Sequence, residues 1–290
     1  MYPPKFGYVR VASLEDAVKV LEADENAKIL AGGQSLMPML KLRLIRPSYL
    51  IDINRVPNLS YINIEGDKIR IGGALVRHHQ VEINRELWKI YPALPETAIQ
   101  IGDPQIRNLG GTMAGSLAHA DPAADWPATL IALRASVRIL GPSGTREVPV
   151  EDFITGPFTT VLGRGEVISE IVIPRLGGTV KSSYVKLERK AGDFAVVGVA
   201  VMLKLSPPDG SVEDAGIGIT AAGGPRPFRA REAEKALIGR KPTDDVIEDA
   251  AERAMKESSP ISDIRGGSAE YKRAMVKVMT RRAIKNALSR

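Results

Sequence analysis

One short stretch constrains this chain more than any other: Leu30-Ala31-Gly32-Gly33-Gln34-Ser35-Leu36. Ala27 to Ala31 form a short apolar run that reads as a buried strand. Ser35 to Leu42 read as one or two helical turns, with Pro38 tolerable only near their start. Two glycines therefore sit between a strand and a helix start. Glycine permits positive φ and leaves backbone N–H groups uncovered. Successive uncovered N–H groups make a concave anion site, to which a helix N-terminus adds partial positive charge. The stretch is either a tight turn or a cradle for a phosphate or pyrophosphate. It matches neither G-x-G-x-x-G nor G-x-x-x-x-G-K-[ST], so neither a Rossmann site nor a Walker loop is supported.

A second glycine-rich stretch runs Arg107-Asn108-Leu109-Gly110-Gly111-Thr112-Met113-Ala114-Gly115-Ser116. Small residues and hydroxyls there alternate with backbone that a ligand can approach closely. Two such loops in one chain can hold the two phosphates of one dinucleotide; the alternative is two unrelated turns.

At roughly 150 residues per domain, 290 residues imply two domains or three small ones. A hydrophobic fraction of 44% supports a real core. The net charge of +6 is spread over 40 basic and 34 acidic residues, and no basic run carries interleaved aromatics, so nucleic acid is not expected. A basic surface docking an acidic protein is allowed. The absence of cysteine excludes disulfides, cysteine-ligated zinc, iron–sulfur clusters held by this chain and a cysteine nucleophile. It also fits a reducing cytosol. Met1-Tyr2-Pro3-Pro4-Lys5 carries no apolar signal region, and no window approaches about 18 uninterrupted apolar residues. The expectation is a cytoplasmic protein without a membrane span. His78, His79 and His119 are the only histidines, which nearly removes histidine-rich metal sites.

In chain order, Ser13-Leu14-Glu15-Asp16 reads as a capping box, with Ser13 as N-cap and Asp16 reaching back. Leu14, Ala17, Val18 and Leu21 then form one helix face. Tyr49 to Ile53 reads as a second strand after the break at Arg46-Pro47. Asn54 to Ser60 is a joint. Tyr61 to Ile64 and Lys68 to Gly73 flank a hairpin turn. Val76 to Asn84 and Glu86 to Ile101 read as helical, the latter broken near Pro92 and Pro95. Asp121 or Asp125 starts a helix running through Ala128 to Leu133. Strands follow at Ala135 to Leu140, Arg146 to Val150 and Val167 to Ile173. Leu176 to Thr179 is the linker. Beyond it come strands at Ser183 to Arg189, Ala195 to Leu205 and Ala215 to Ala222, with a turn at Pro207-Pro208-Asp209-Gly210. Helices at Arg231 to Ile238, Asp244 to Met255 and Ala269 to Ser289 close the chain. Strands first and helices after indicate an α+β layer. The last helix carries Lys272, Arg273, Lys277, Arg281, Arg282 and Lys285 beside an apolar face of Met275, Val278 and Met279, so its charged side is either solvated or a partner surface.

No catalytic constellation emerges. Ser116, His119 and Asp121 are too local for a triad and lack G-x-S-x-G. Asp121 and Asp125 suit capping or a ribose- or phosphate-side contact better than acid–base work. Alternation in Ser182 to Lys190 puts Lys186 on one face with Tyr184 and Glu188, where an exposed strand lysine is the simplest reading. Phosphate-cradling loops without side-chain catalysts fit a protein that lends its binding to a cofactor.

AGGQSLMPMLKLRLIRPSYLIDINRV, IRNLGGTMAGSLAHADPAADWPA and YVKLERKAGDFAVVGVAV, in that order, resemble the FAD-binding medium subunit of the molybdenum hydroxylases, the carbon monoxide dehydrogenase, aldehyde oxidoreductase and xanthine dehydrogenase group. The resemblance covers essentially the whole chain and includes Asp263-Ile264-Arg265-Gly266-Gly267-Ser268-Ala269-Glu270-Tyr271-Lys272, which looks like that family's C-terminal signature. It implies an α+β chain: a two-part FAD-binding domain of the vanillyl-alcohol-oxidase, or PCMH, type in residues 1–56 and 57–176, then a C-terminal domain of the CO dehydrogenase flavoprotein type in 177–290. It implies FAD with its pyrophosphate on Ala31, Gly32, Gly33, Gln34, Ser35 and Leu36 and on Thr112, Met113, Ala114, Gly115 and Ser116. It also matches Asp125 to the family's cofactor-binding aspartate downstream of the second loop, and Ile168 and Lys186 to positions that line the flavin side. Two departures stand out. Ala114 replaces the usual first glycine of the second loop, and Gly110-Gly111 adds a residue before Thr112. If Ala114 must take positive φ, the cost is roughly 1 kcal/mol or more. No cysteine-bearing insertion is present, so the extra iron–sulfur cluster of one reductase branch is expected to be absent.

The implied mechanism is a relay: a large molybdopterin subunit oxidises an aldehyde or carbon monoxide, a small subunit with two iron–sulfur clusters passes electrons on, and FAD on this chain hands them to an external acceptor. The implied assembly is a dimer of heterotrimers. The alternatives are a stand-alone FAD-dependent oxidoreductase, which needs a base from His78, His79, His119 or a carboxylate, and a basic adaptor for acidic partners.

Overall fold

The computed structural model describes residues 2–72, 74–207, 209–264 and 266–290. Gly73 of the expected hairpin, Pro208 of the expected turn and Arg265 of the C-terminal signature lie outside them.

The chain begins β1 (Gly7–Arg10), α1 (Leu14–Ala23), β2 (Lys28–Leu30), α2 (Leu36–Lys41) and β3 (Tyr49–Asp52). The strands form a parallel sheet in the order β1-β3-β2. Ser13 Oγ accepts the Asp16 N–H at 3.1 Å, so the N-cap is as expected, but the Asp16 carboxylate binds Lys19. Leu14, Ala17 and Val18 are buried against Ile51 and Ile53. Pro38 occupies the third position of α2, where its missing N–H costs no helical bond.

The second stretch runs β4 (Ile62–Glu65), β5 (Lys68–Gly72), α3 (His78–Glu82), α4 (Arg85–Ile90), α5 (Ala93–Ile99), α6 (Pro104–Leu109), α7 (Met113–His119), α8 (Trp126–Ala132), β6 (Ser136–Gly141), β7 (Gly144–Pro149), α9 (Val150–Phe153), β8 (Ile154–Gly156), β9 (Thr159–Thr160) and β10 (Val167–Pro174). An antiparallel sheet in the order β4-β5-β10-β6-β7 has β10 at its centre. Ile69, Ile71, Val137, Ile139, Ile171 and Ile173 point from it into the core shared with Trp126, Leu130 and Tyr91. Pro95 does not break a helix as expected. It lies third in α5, again before the first intrahelical donor, while Pro92 caps that helix.

The last stretch contains β11 (Thr179–Leu187), β12 (Val197–Leu205), β13 (Val212–Thr220), β14 (Phe228–Arg229), α10 (Arg231–Leu237), α11 (Asp244–Glu257) and α12 (Ala269–Leu288). The sheet order is β11-β12-β13-β14, antiparallel. Val199, Val201, Leu203, Ile217 and Ile219 pack under α10, α11 and α12. The opposite face is also covered: Tyr184 and Ala200 meet Ala93 of α5 and Ala128 and Ala132 of α8. Burial on both faces explains why these strands read as continuous apolar runs. Contact is closest where α8 crosses β13. A Cβ on Gly216 would lie 3.0 Å from the Ala132 carbonyl carbon, and one on Gly218 would lie 2.8 Å from that of Ala128.

The inward face of α12 is Val276, Met279, Ala283, Ile284 and Ala287, one position round from the expected stripe, with Met275 at its margin. Much of its basic row is paired within the fold. Lys277 and Arg281 meet Glu248 of α11, Lys285 meets Asp244, and buried Lys272 bonds Asp263 and the Ile261 carbonyl. Among the described residues no helix is long and apolar enough to cross a membrane.

Candidate functional site

The two glycine stretches meet. A cleft of about 340 Å³ is lined by Ala31 and Gly32 from the first, Asn108, Gly110 and Thr112 from the second, and Asn54, Arg77 and His79 between them. The loops touch so closely that a Cβ on Gly32 would lie 2.6 Å from the Gly110 carbonyl carbon and nearer still to its oxygen. Reciprocally, a Cβ on Gly110 would run into the Gly32 carbonyl and the Gln34 side-chain amide.

The first loop leaves the carboxyl end of β2, beside the carboxyl end of its parallel neighbour β3, the rim where open α/β sheets place ligands. Asn54 fixes it there. Its side-chain amide donates to the Ala31 carbonyl at 2.9 Å and the Leu30 carbonyl at 3.2 Å, and to Asp52 Oδ1 at 2.9 Å. Tyr8 holds the other Asp52 oxygen at 2.5 Å. Gly33 takes φ of +72°, which an L side chain adopts only under strain. Among the described residues no acceptor meets the amides of Gly32, Gly33, Gln34, Ser35 and Leu36, whereas those of Met37 and Met39 donate to the Gly33 and Ser35 carbonyls. Ser35 precedes α2 with its hydroxyl making no cap bond.

The second loop is shorter than its sequence implies, because Met113, Ala114, Gly115 and Ser116 form the first turn of α7. Thr112 is the N-cap, its Oγ1 accepting the Gly115 N–H at 3.1 Å. Ala114 is buried and helical and is not among the residues with positive φ, so the feared strain is absent. The segment before α3 ties the loop down: Met113 N–H donates to the Val76 carbonyl, His78 N–H donates to Gly111, and Arg77 bridges Thr112.

Of the expected cofactor residues, Ala31, Gly32 and Thr112 line the cleft itself, Gly33 to Leu36 and Met113 to Ser116 continue from them into the starts of α2 and α7, and the other three lie elsewhere. Asp125 precedes α8 but makes no cap bond; its carboxylate instead accepts from Tyr184 OH at 2.5 Å and meets Lys186 Nζ at 3.3 Å. Lys186 also donates to the Gln100 carbonyl at 2.8 Å and meets Glu188 at 3.3 Å. Its side chain is 1% exposed, contrary to the exposed-lysine expectation. Burial pushes Asp125 up to about 6 against the pull of Lys186, and burial beside Asp125 raises Tyr184 well above its ordinary value. Ile168 is buried in β10, within the core. None of Asp125, Ile168 and Lys186 lines the cleft of the two loops.

The histidines divide. His78 is buried, accepts the Trp126 indole N–H at 3.0 Å through Nδ1, and is lowered to about 4 by burial and then by Arg107. His119 lies against Phe158, and Asp121 accepts the Ala123 N–H, so no triad forms with Ser116. His79 lines the cleft beside Glu82. Sequence reasoning missed Asn54 and Arg77 as cleft residues. The readable signal for Asn54 was its place just past the end of a parallel strand; for Arg77 there was none, since it arrives from the start of α3.

A second groove, of about 610 Å³, is a poorer anion site. Its Arg146 is engaged by Glu166, and its Arg164 donates to the Glu22 and Ala23 carbonyls.

Residues 4–176 match the family described as FAD binding domain in molybdopterin dehydrogenase, and residues 182–287 match the CO dehydrogenase flavoprotein C-terminal domain. The chain belongs to this FAD-binding family. It is the medium-chain flavoprotein subunit of a molybdenum-dependent oxidoreductase, similar over its whole length to such chains. It is 44% identical to the glyceraldehyde dehydrogenase medium chain of Sulfolobus acidocaldarius, over 98% of this chain and 99% of that one. It superposes on a carbon monoxide dehydrogenase chain of Hydrogenophaga pseudoflava with a TM-score of 0.94, at 40% identity over 100% of this chain and 99% of that one. For quinoline 2-oxidoreductase from Pseudomonas putida 86 the TM-score is 0.91, at 34% identity over 99% and 98%. The cleft fits the cofactor of this family. The uncovered amides that run from Gly32 at the cleft to Leu36, the uncapped Ser35 hydroxyl near the end of that run, and walls that exclude even a Cβ at their contact suit a diphosphate that backbone groups can approach closely.

Proposed function

We propose that this chain seats FAD between the iron–sulfur clusters of a small partner subunit and an external acceptor, so that electrons released when a large molybdopterin subunit oxidises an aldehyde or carbon monoxide leave the complex here. The single observation that carries the reading is the contact of the two glycine loops around one cleft. Ala31 to Leu36 would hold the diphosphate through their amides and the Ser35 hydroxyl, and Thr112 to Ser116 would close the other side through the first turn of α7. When bound, the flavin supplies a centre that takes up and releases electrons one or two at a time. The protein's own part is to bind and orient: Asn54 turns the loop's carbonyls away, and Thr112 fixes the start of α7.

Lys186 and Ile168 belong to this reading as residues that line the flavin side, and Asp125 as the cofactor-binding aspartate downstream of the second loop. The segmentation into 1–56, 57–176 and 177–290, the dimer of heterotrimers and a cytoplasmic location complete it. The relay reading is favoured over a stand-alone oxidoreductase because the histidines are engaged within the fold: buried His78 accepts from Trp126, His119 packs against Phe158, and His79 at the cleft meets Glu82. Co-expression with the neighbouring genes tests it. The purified complex should carry FAD with molybdenum and iron, and the isolated chain should reduce no acceptor from an aldehyde. Aldehyde turnover by the isolated chain would overturn the relay.

A further inference from the structure

The cleft has one feature that its amides do not explain. Backbone N–H groups offer dipoles but no net charge, and a diphosphate brings about two negative charges. Among the described residues lining the cleft, Arg77 is the one side chain with a permanent charge. Its backbone is pinned twice, by Gln80 Oε1 accepting its N–H at 2.8 Å and by the bridge to Thr112. Its guanidinium is exposed and makes one long contact, 3.5 Å to the Asn108 carbonyl, with no carboxylate partner among the described residues. The neighbouring Arg107 is by contrast spent on structure, bonding Glu82 at 3.1 Å and the Ile101 and Gly102 carbonyls.

We infer that Arg77 is the charge-bearing arm of the cleft, engaging the diphosphate of the dinucleotide that the two loops hold. This rests on reading the cleft as the FAD site. A fixed backbone at Thr112 with a free planar fork beyond it suits a phosphate better than a freely moving lysine would, since the fork donates two parallel hydrogen bonds. Arg77 touches neither glycine loop through its side chain except at Asn108, so its role is separable from holding the loops together.

The test uses the full complex, stripped of flavin and titrated with FAD and with riboflavin, which carries no phosphate, as wild type, Arg77→Gln and Arg77→Lys. Arg77→Gln should weaken FAD about 10- to 100-fold, the loss of a charge-assisted contact, while riboflavin binding stays unchanged. Arg77→Lys should fall between. The weakening of FAD by added salt should be shallower in Arg77→Gln than in wild type. Wild-type FAD affinity and salt dependence in both variants would overturn the inference, as would an equal loss for riboflavin. If Arg77→Gln fails to assemble, Arg77→Lys alone decides by the same FAD-to-riboflavin comparison. A wild-type complex that binds neither flavin would instead overturn the reading of the cleft itself.

Discussion

Replacing Gly32 by alanine probes the contact on which the cleft depends. The added Cβ would sit 2.6 Å from the Gly110 carbonyl carbon. Carbon atoms rest about 3.5 Å apart or more, so the loops must separate by about 1 Å. Neither side can yield by a rotamer change, because both are backbone, and Gly110 is buried with the next residue's N–H bonded to the Ile106 carbonyl. Overpacking of this kind costs about 1–3 kcal/mol. At 1.4 kcal/mol per decade, that corresponds to roughly 5- to 140-fold in FAD affinity if the strain is relieved only by opening the cleft. Gly33→Ala is the internal contrast. Its φ of +72° makes alanine strained by roughly 1–2 kcal/mol, but its new Cβ meets only the ends of Leu30 and Met37 at 3.3 Å. Gly110→Ala opens the same contact from the other side, so Gly32→Ala/Gly110→Ala should cost less than the sum of the singles. Flavin fluorescence titration of the apo complex, with thermal melting alongside, measures all four. Wild-type affinity and melting in Gly32→Ala, or strict additivity in the double variant, would refute the argument that the loops meet at these glycines.

Gly218→Ala, whose Cβ would press on the Ala128 carbonyl, should destabilise the fold by about 1–3 kcal/mol, seen as a lower melting temperature; an unchanged melt would show that α8 does not lie on β13. Asp125 is raised to about 6 by burial, so the folded chain holds its proton where the unfolded chain does not, and its contribution to stability falls as pH rises from about 4 to 6. Asp125→Asn should remove that slope, gaining on wild type by up to roughly 3 kcal/mol across the window; denaturant titrations at several pH values that show parallel curves would contradict it. His78 has the opposite sign. Its value of about 4 lies below the ordinary histidine range, so stability is present above about 6.5 and is lost as pH falls toward 4. His78→Gln should flatten that acid limb, and an unaltered limb would mean that His78 is not buried neutral against Trp126.

Long periodic elements were legible in the residues. α1, α11 and α12, the strands of the last sheet and the loop around Gly32 and Gly33 could be read because apolar spacing and turn residues specify them locally. β1 escaped because its alternation spans only the four residues Gly7 to Arg10, too few to stand out as a period, and it exists by pairing with β3 forty-two positions later. β8, β9 and β14 are two or three residues long and are likewise set by their partners. The turn of α7 was read as loop because glycine and serine weaken a helix signal, whereas here Thr112 and the segment 76–78 impose it. At the site, backbone-defined parts were visible and side chains delivered from elsewhere were not. Gly32 and Thr112 announced themselves; Arg77 and Asn54 did not. Lys186 was visible as a residue but not as a buried one, since its partner Asp125 lies sixty-one positions away.

The crossing of α8 over Gly216 and Gly218 bears on how such chains can be recombined. A chimera joined between β10 and β11 would inherit α8 from one parent and β13 from the other. Any donor bearing a side chain at either glycine position would drive a wedge between the halves, however well each half folds. The usable exchange unit is therefore the helix together with its strand, and grafts should be cut to carry both.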